Sequence, residues 1–452
     1  MVQSVSSPSG CAPAGARTDS VLPEQRDIAC DFPAVSRASC RFCGTWLRHG
    51  FADLGMSPLS NSYLRPNQLN QMEPFYPLCV RVCEKCFLVQ LEEFERPEKI
   101  FGDYAYFSSY SESWLRHARE YCHRMVDRLQ LNESSLVVEV ASNDGYLLQY
   151  FQRRGIRVLG IEPARNVALA ARGKGIPTQE KFFGLQTARE LCAAGEQADL
   201  IVANNVLAHV PNLRDFVAGL KQALKPQGTI TLEFPHLLRL IEGNQFDTIY
   251  HEHFSYFSFL TVEEILREHG LAVFDVEILS THGGSLRVFA GHAENDGTQP
   301  AGSSQGASQR VSQLSQEELA AGMRNLATYS GFGERVRETK RSLLELLSAI
   351  KRAGKSMVAY GAPAKGNTLL NYCGIGRDFL DYTVDLSPHK QSRFLPGTHL
   401  PIYDPDRIRE TRPDYVLVLP WNLRQEILAQ VGYIREWGGR FVIPIPKAEI
   451  VA

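Results

Sequence analysis

The fold of this chain is decided by residues 136–151, LVVEVASNDGYLLQYF. An apolar run typical of a buried strand ends at the turn ASNDG, residues 141–145, and apolar residues at helical spacing follow it. In an α/β fold the backbone N–H groups at such a turn point into the crevice beyond the carboxyl end of the strand. The stretch therefore predicts a strand, a tight turn and a helix that together hold a cofactor.

The following segments extend this prediction to a parallel sheet. Residues 158–162, VLGIE, end in Glu162, and an acid at the tip of the second strand is where such folds hold a ribose diol. Strands at 198–205 and 228–234 follow, each after a helical segment. The turn keeps only Gly145 of the dinucleotide fingerprint, which disfavours a pyrophosphate and favours a smaller adenosyl ligand. The order of elements favours a class I S-adenosylmethionine-dependent methyltransferase over two alternatives, a dinucleotide site and an α/β core without ligand.

The candidate cofactor-binding residues lie in the turn, at the strand tips and in the aromatic segment FGDYAYFSSYSESW, residues 101–114. They are Glu139, Ser142, Asn143, Asp144, Gly145, Glu162, Asn204, Tyr104 and Ser109. The aromatic segment has two interpretations: a plug under the following domain, or hydroxyl groups that line the cofactor cleft. Its spacing alone does not separate them.

Composition narrows the class of protein. Hydrophobic residues make up 44% and charged residues 22% of the 452 residues, as in ordinary globular proteins of two to four domains. The net charge of -2 gives no electrostatic case for nucleic acid. No apolar run reaches the roughly 18 residues that a membrane span requires, and no apolar signal region opens the chain. We expect a cytoplasmic enzyme, a monomer or small homo-oligomer, without nucleic-acid or membrane partners.

Changes in composition and pattern divide the chain into five segments. We expect a disordered leader at 1–36, a zinc-binding domain at 37–100, the methyltransferase domain at 101–293, a flexible linker at 294–313, and a helical and Rossmann-like domain at 314–452. The leader is rich in Ser, Pro, Ala and Gly, and the linker is polar and without periodicity. The expected fold is therefore α/β, with a small zinc-binding domain before the core and a second Rossmann-like domain after it.

Two CxxC pairs predict a metal site. Cys40 and Cys43 form the first pair, and Cys83 and Cys86 form the second. The two-residue spacer lets both thiolates of a pair face one tetrahedral Zn²⁺, and four thiolates leave no open position, so the metal is expected to be structural. Disulfide or redox chemistry and unpaired core cysteines are the alternatives, and Cys79 is a poorer substitute for Cys83.

The densest chemical pattern is YHEH, residues 250–253. Two histidines, a glutamate and a tyrosine are costly to bury unless they form a hydrogen-bonded network, so we expect them to line a cavity. The string is not HExxH, and acid–base chemistry is favoured over a metal site and over a structural network. His209 lies at the predicted cleft edge, although it would serve equally well as a satisfied histidine at a helix start.

A second α/β unit follows the linker. A strand at 356–361 leads into the turn GAPAKGNT, which is not a P-loop because Asn367 stands where the lysine must be. A later strand ends in Asp385. We expect either a docking domain without ligand or a nucleotide site. The candidate substrate-binding residues are Tyr360, Gly361, Lys365, Asn367, Asp385 and Lys390.

Taken together, the motifs resemble one family, the three-domain C-methyltransferases that act on deoxysugar nucleotides in antibiotic biosynthesis. The resemblance runs from about residue 40 to about residue 446. Its motifs are the two CxxC pairs, YAYFSSYS, VEVASNDGYLL, NNVLAHV, YHEHFSYFS, HGGSLRVF, YGAPAKGNTLLNY and VDLSPHKQ.

The resemblance implies a zinc-binding domain, a central S-adenosylmethionine domain and a C-terminal Rossmann-like domain, with a nucleotide-linked sugar between them. It implies methyl transfer to C-3 of a dTDP-4-keto-2,6-dideoxyhexose. The family's catalytic Tyr, Glu and His fall on Tyr250, Glu252 and His253, and its other active-site histidine falls on His209.

This chemistry needs a base near neutral pH and a donor aimed at the enolate oxygen. His253 is the expected base, Glu252 orients it or replaces it, and Tyr250 and His209 are candidate donors to the oxygen. The rival hypotheses are an O- or N-methyltransferase, or a C-methyltransferase, acting on a non-sugar metabolite, and a zinc-bearing binding protein without catalysis.

Overall fold

A computed structural model describes residues 38–102, 104, 106–294, 302 and 305–452. The expected leader, residues 1–36, lies outside the described residues, and so do 295–301, 303 and 304 in the expected linker. The described residues belong to one unit, in which the three expected domains contact one another.

The N-terminal region contains three strands followed by two helices. They are β1 (His49–Ser57), β2 (Tyr76–Val82), β3 (Val89–Leu91), α1 (Pro97–Phe101) and α2 (Glu112–Leu129). The strands are antiparallel neighbours in that order. Helix α2 begins at Glu112 because the hydroxyl of Ser111 accepts a hydrogen bond from the backbone N–H of Trp114, which satisfies one of the free donors at a helix start.

The central region alternates strands and helices, as the sequence pattern predicts. Its elements are β4 (Leu136–Val140), α3 (Leu148–Gln152), β5 (Arg157–Ile161), α4 (Arg165–Gly173), β6 (Thr178–Gln179), α5 (Leu185–Ala193), β7 (Ala198–Asn204), α6 (Leu213–Ala223), β8 (Leu224–Pro235), α7 (Leu237–Glu242), β9 (Ser255–Tyr256), α8 (Phe259–Glu268), β10 (Leu271–Leu279) and β11 (Ser285–His292).

Seven of these strands form one sheet in the order β10-β11-β8-β7-β4-β5-β6. Strand β11 runs antiparallel to both neighbours, and the remaining strands are parallel to one another. From β4 the chain adds β5 and β6 on one side of the sheet and then β7 and β8 on the other. The crevice in which α/β sheets bind ligands lies at the carboxyl ends of the two strands at this switch, β4 and β7. This arrangement confirms the expected class I methyltransferase core.

Strand β9 belongs to a different sheet from its neighbours in the chain. It pairs with β3, which makes the N-terminal sheet four-stranded in the order β1-β2-β3-β9. The segment that follows YHEH is therefore part of the sheet of the cysteine-rich domain. Local sequence patterns do not predict such a pairing, because it joins residues more than 160 positions apart.

The C-terminal region forms helices and then a second sheet. Its elements are α9 (Ala307–Ala320), α10 (Leu326–Ser330), α11 (Phe332–Arg352), β12 (Met357–Tyr360), α12 (Ala364–Cys373), β13 (Thr383–Val384), β14 (Ile402–Tyr403), α13 (Arg407–Thr411), β15 (Tyr415–Val418), α14 (Arg424–Gln430), β16 (Arg440–Ile443) and β17 (Glu449–Val451). The sheet order is β14-β13-β12-β15-β16-β17, parallel except for β17. This is the expected Rossmann-like domain.

The expected linker is wrong at its C-terminal end, because α9 begins at Ala307 and not after residue 313. Leu314 of this helix is buried, and the buried carboxylate of Glu318 accepts hydrogen bonds from the backbone N–H groups of Phe259 and Leu260 at the start of α8. The polar and small residues of this stretch concealed a helix whose few apolar positions pack on the central domain.

The N-terminal and C-terminal regions share one hydrophobic core. The ring of Phe51 on β1 stacks on Phe332 at the start of α11, with ring centroids 4.4 Å apart. Buried residues of β2, α7, α11 and β12 join the same cluster. Because these regions enclose the central domain's crevice, a ligand bound there contacts residues of more than one region. Among the described residues, no helix combines the length and apolar composition that crossing a membrane requires.

Candidate active site

The predicted cofactor turn, residues 141–145, has a strained backbone. Ala141, Asn143 and Gly145 all have positive φ values, of 56°, 49° and 76°. The backbone N–H of Asn143 donates to a carboxylate oxygen of Glu162 at 2.9 Å, which joins the turn to the tip of β5. A Cβ on Gly145 would lie 2.7 Å from Cγ1 of Ile176. The φ of Gly145 and its packing against Ile176 both require a glycine at this position.

A cavity of about 460 Å³ lies at the carboxyl ends of β4, β5 and β7. We call it the central cavity. Four expected cofactor residues line it: Tyr104, Asn143, Glu162 and Asn204.

The other five expected cofactor residues are not among the residues that line the central cavity: Glu139, Ser142, Asp144, Gly145 and Ser109. Asp144 is instead paired with Lys174, whose Nζ lies 2.7 Å from Oδ2 of Asp144 and donates to Oγ of Ser109 at 2.9 Å. Glu139 is buried and its pKa is raised well above the ordinary range by burial. Lys174 thus links Asp144 of the turn to Ser109 of the aromatic segment.

Two of the lining residues have the chemistry of a ligand contact. The oxygens of Glu162 accept hydrogen bonds from the backbone N–H groups of Asn143 and Ala164, and burial raises the pKa of this carboxyl to about 7. Both amide atoms of Asn204 are buried and have no partner among the described residues. A buried amide without a partner costs free energy, so the central cavity presents an unsatisfied donor and acceptor to a ligand.

The aromatic segment closes one side of the central cavity, as one of its two interpretations proposed. The side-chain amide of Asn143 accepts a hydrogen bond from the backbone N–H of Ser108 at 2.8 Å and donates to the carbonyl of Tyr106 at 3.1 Å. Tyr106 and Ser108 line the cavity, and Ser109 does not. The turn and the segment are therefore fastened together by one side chain.

Tyr250 and His253 of the YHEH segment form a hydrogen-bonded pair that lines the central cavity. Nδ1 of His253 lies 2.8 Å from the carbonyl oxygen of Thr248, which only accepts, so Nδ1 carries the proton. Burial lowers the pKa of His253 well below its ordinary value, so the ring is neutral and Nε2 is an acceptor. The hydroxyl of Tyr250 consequently donates to Nε2 of His253 at 2.8 Å.

His209 also lines the central cavity, with its ring centroid 4.8 Å from that of His253. Its Nδ1 donates to the backbone carbonyl of Glu252 at 2.7 Å, and burial lowers its pKa to about 4. The ring is therefore neutral, with a lone pair on Nε2. Two neutral imidazoles at one wall supply proton acceptors at neutral pH.

The side chain of Glu252 does not line the central cavity but an adjoining polar cavity of about 420 Å³. One carboxylate oxygen accepts a hydrogen bond from the amide of Asn61 at 3.1 Å, and Asn61 lines both cavities. Burial raises the pKa of Glu252 to about 7. His251 points away from both cavities, and its Nε2 contacts the carbonyl of Pro77 at 3.2 Å.

A third cavity, of about 530 Å³, lies at the carboxyl ends of β12 and β13, and we call it the C-terminal cavity. Five expected substrate residues line it: Tyr360, Gly361, Lys365, Asp385 and Lys390. The sixth, Asn367, is fully buried and lines neither the central nor the C-terminal cavity.

The central and C-terminal cavities share six lining residues: Tyr106, Trp114, His282, Pro363, Lys365 and Lys390. Nζ of Lys390 donates to the carbonyl of Ala362 at 2.9 Å and pairs with Asp385 at 3.3 Å. Lys365 and Lys390 thus lie at the boundary between a methyltransferase crevice and the edge of a Rossmann-like sheet.

The four cysteines of the CxxC pairs converge as predicted. All their sulfurs lie within 4.8 Å of one another, and Cys40 also accepts a hydrogen bond from the amide of Gln90. Sulfurs around a tetrahedral zinc ion are about 3.8 Å apart, since the Zn–S bond is about 2.3 Å. The donor set therefore fits Zn²⁺, and Cys79 is not part of it.

Comparisons with known proteins agree with this geometry. Residues 40–101 match a family model described as a zinc binding domain, residues 114–276 match a methyltransferase domain, and residues 280–446 match a C-methyltransferase C-terminal domain. The chain is 35% identical to the C-methyltransferase NovU of Streptomyces niveus over 416 residues, which cover 91% of this chain and 96% of that protein. The chain belongs to the three-domain C-methyltransferases.

Two other comparisons cover a smaller part of this chain. A ubiquinone biosynthesis O-methyltransferase of Methylobacterium is 34% identical over 96 residues, 20% of this chain and 37% of that protein. The structure of magnesium protoporphyrin IX methyltransferase from Synechocystis with bound S-adenosylmethionine is 15% identical, with a TM-score of 0.30, and the match covers 39% of this chain and 78% of that one.

This C-methyltransferase depends on S-adenosylmethionine, and the central cavity fits the donor. The unpartnered amide of Asn204 and the carboxylate of Glu162 are hydrogen-bonding groups at the strand tips where the core binds ligands. Bound S-adenosylmethionine supplies a methyl group that its positively charged sulfur activates for transfer.

Sequence reasoning missed several lining residues of the C-methyltransferase site. Trp114 and His282 lie at the wall between the two cavities, with ring centroids 5.3 Å apart. His282 has a positive φ of 54° before two glycines, so HGG in the sequence was the available indication of a special turn. Asn61 gave no local indication, because it reaches the site from a loop of the N-terminal region.

Proposed function

We propose that the enzyme removes the proton next to the ketone of a dTDP-4-keto-2,6-dideoxyhexose and methylates C-3 of the sugar. The observation that carries this proposal is the joined pair of cavities. The central cavity holds neutral bases beside the predicted donor site, and the C-terminal cavity, which shares Lys365 and Lys390 with it, lies at the edge of a second Rossmann-like sheet. A sugar in the first cavity with its nucleotide in the second would use both.

His253 is the proposed base, acting together with Tyr250. The proton on the sugar carbon passes to the oxygen of Tyr250 as the Tyr250 hydroxyl gives its own proton to Nε2 of His253, along the existing 2.8 Å hydrogen bond. The hydrogen bond from Nδ1 to the carbonyl of Thr248 stabilises the imidazolium that forms. The resulting carbon nucleophile would then bond to the methyl carbon of S-adenosylmethionine as the methyl–sulfur bond breaks and S-adenosylhomocysteine leaves, a step that depends mainly on positioning.

Glu162 and Asn204 are the proposed donor-binding residues, and the four cysteines are proposed to hold a structural zinc ion. Glu252 is proposed as a positioning residue. Its carboxylate binds Asn61 and its backbone carbonyl binds His209, so it fixes two residues that line the central cavity.

The proposal is tested by hydrogen exchange. The zinc-replete enzyme is incubated in D₂O with S-adenosylhomocysteine and a dTDP-4-keto-2,6-dideoxyhexose, and loss of the C-3 proton is followed by NMR. We expect exchange in the wild type and a reduction of roughly 100-fold or more in His253→Ala. His251→Gln is the matched control, because this histidine lies in the same segment and does not line the central cavity.

Calorimetry separates the competing substrates. Titration with S-adenosylmethionine, and then with dTDP in the presence of S-adenosylhomocysteine, should show binding of both. Binding of the donor without any response to dTDP, together with no exchange of the sugar proton, would reject the sugar-nucleotide substrate. An O- or N-methyltransferase would not need that carbon-bound proton to leave.

A further inference from the structure

Removal of a proton next to a ketone places negative charge on the carbonyl oxygen, and a hydrogen-bond donor aimed at that oxygen stabilises the enolate. Tyr250 has one hydroxyl proton, which it donates to Nε2 of His253. His209 has one ring proton, which it donates to the carbonyl of Glu252. The two donors that the sequence suggested are therefore both committed to other acceptors.

Lys365 is a cationic donor on the wall of the cavity that Tyr250 and His253 also line. It lines both the central and the C-terminal cavity. Its Nζ lies 3.2 Å from Oδ1 of Asn422 and 4.9 Å from the ring centroid of Trp421. Within the described residues Lys365 forms no ion pair, although the negative charge of Asp247 is near enough to act on it. An ammonium has three donors, so Lys365 keeps donors for a ligand.

Lys390 differs from Lys365 in this respect. It is buried and paired with Asp385, and it also donates to the carbonyl of Ala362. Its charge is balanced by the protein. Lys365 is thus the lining lysine with the less satisfied ammonium group, and burial lowers its pKa.

Two hydrogen bonds join the surroundings of Lys365 to the segment that contains Tyr250 and His253. Helix α12 begins at Ala364, and the hydroxyl of Thr368 one turn later donates to the carbonyl of Ile249 at 3.0 Å. The indole N–H of Trp421, beneath Lys365, donates to Asp247 at 2.7 Å. These bonds hold the start of α12 and Trp421 against the segment that removes the proton. Burial lowers the pKa of His253, and the positive charge of Lys365 is close enough to lower it further.

We propose that Lys365 is a catalytic residue that donates a hydrogen bond to the enolate oxygen of the substrate. This inference rests on the proposed function. The carbon–hydrogen bond breaks, the proton goes to the Tyr250–His253 pair, the electron pair moves to the carbonyl oxygen, and Lys365 stays protonated throughout.

The test compares exchange of the C-3 proton with binding of the nucleotide. In Lys365→Met, with S-adenosylhomocysteine and saturating dTDP-4-keto-2,6-dideoxyhexose in D₂O, the exchange rate constant should fall roughly 100- to 1,000-fold, as for loss of an oxyanion donor. The Kd for dTDP should stay within about threefold of wild type. Lys365→Arg should recover part of the rate, and Lys447→Met, which removes an exposed lysine, is the control for loss of a charge.

Wild-type exchange in Lys365→Met, or a weakened dTDP affinity as its only defect, would overturn the assignment. If wild type itself neither binds dTDP nor exchanges the proton, the proposed function fails first and the inference falls with it. Circular dichroism and the affinity for S-adenosylmethionine check that the variants fold. If Lys365→Met is misfolded, Lys365→Gln takes its place.

Discussion

The carboxyl of Glu162 offers a quantitative test of the donor site. Its pKa of about 7 lies far above the ordinary value because the group is buried, although two backbone N–H groups favour the charged form. If the carboxylate accepts hydrogen bonds from the ribose diol, binding requires the ionised form. As the pH falls through 7, the carboxylate of Glu162 takes up a proton and accepts fewer hydrogen bonds. The Kd of a ligand that is held through its ribose diol must therefore rise.

The size of the effect follows from the fraction that is ionised. With a pKa of about 7, roughly nine-tenths of Glu162 is ionised at pH 8 and roughly one-tenth at pH 6, so the Kd should rise about tenfold between them. The pKa values of His209 and His282 are lowered to about 4 and that of His253 is lowered further, so these neighbours stay neutral over the range.

The assay is calorimetric titration at pH 8, 7 and 6 with 5′-methylthioadenosine. This ligand keeps the ribose diol, lacks the amino-acid group of the donor and does not itself titrate in the range. Glu162→Gln should bind roughly 10- to 100-fold more weakly at pH 8, because a charged acceptor is lost, and its Kd should not change with pH. An unchanged wild-type Kd between pH 8 and pH 6, or the same pH dependence in the glutamine variant, would refute the assignment.

Three further predictions concern the base, the metal and the cofactor turn. If His253 is the base, the rate of C-3 exchange should begin to fall only below pH 6.5, because the pKa of His253 is lowered. A rate that instead halves near pH 7, and that loses this pH dependence in Glu252→Gln, would assign the base to Glu252. In Cys86→Ser the bound zinc, measured by atomic absorption, should be lost together with thermal stability and exchange activity, and full activity without metal would contradict this. Gly145→Ala should lower the free energy of unfolding by about 2–4 kcal/mol in denaturant titrations, since it combines a positive φ with a clash. Gly175→Ala, with positive φ and open space, should cost only the backbone term.

Features that depend on neighbours in sequence were predictable. The strand β4 and its turn are encoded by an apolar run followed by polar and small residues, and the structure has both. The CxxC spacing specifies two sulfurs that face one ion, and the structure brings all four together. The YHEH segment was expected to line a cavity because burying its groups elsewhere is costly, and Tyr250 and His253 do so.

Features that depend on distant contacts were not predictable. Glu252 was expected in the same site as His253, but it lies in the polar cavity because Asn61 of the N-terminal region binds it. The first part of helix α9, residues 307–313, was taken as linker because its polar and small residues give no apolar periodicity. Ser109 was chosen over Ser108 since spacing alone cannot tell which of two adjacent hydroxyl groups faces a cavity.

The catalytic segment, residues 247–256, is held by all three regions of the chain. Strand β3 of the cysteine-rich region pairs with β9, the central region accepts a hydrogen bond from Phe254 at the carbonyl of Ala208, and the C-terminal region contributes the contacts to Asp247 and Ile249. The segment itself contains little regular structure that would fix it alone.

We expect the zinc site to affect catalysis through this segment, because its four cysteines do not line the central cavity. Cys83 and Cys86 close the turn directly before β3, and the carbonyl of Cys86 accepts a hydrogen bond from Thr261 on α8, just after β9. Loss of the metal would therefore loosen the pairing that positions Tyr250 and His253. Since misplacing a reacting group by about 1 Å costs roughly 100-fold in rate, we expect loss of the ion to lower turnover through this segment even though no substrate contact is removed.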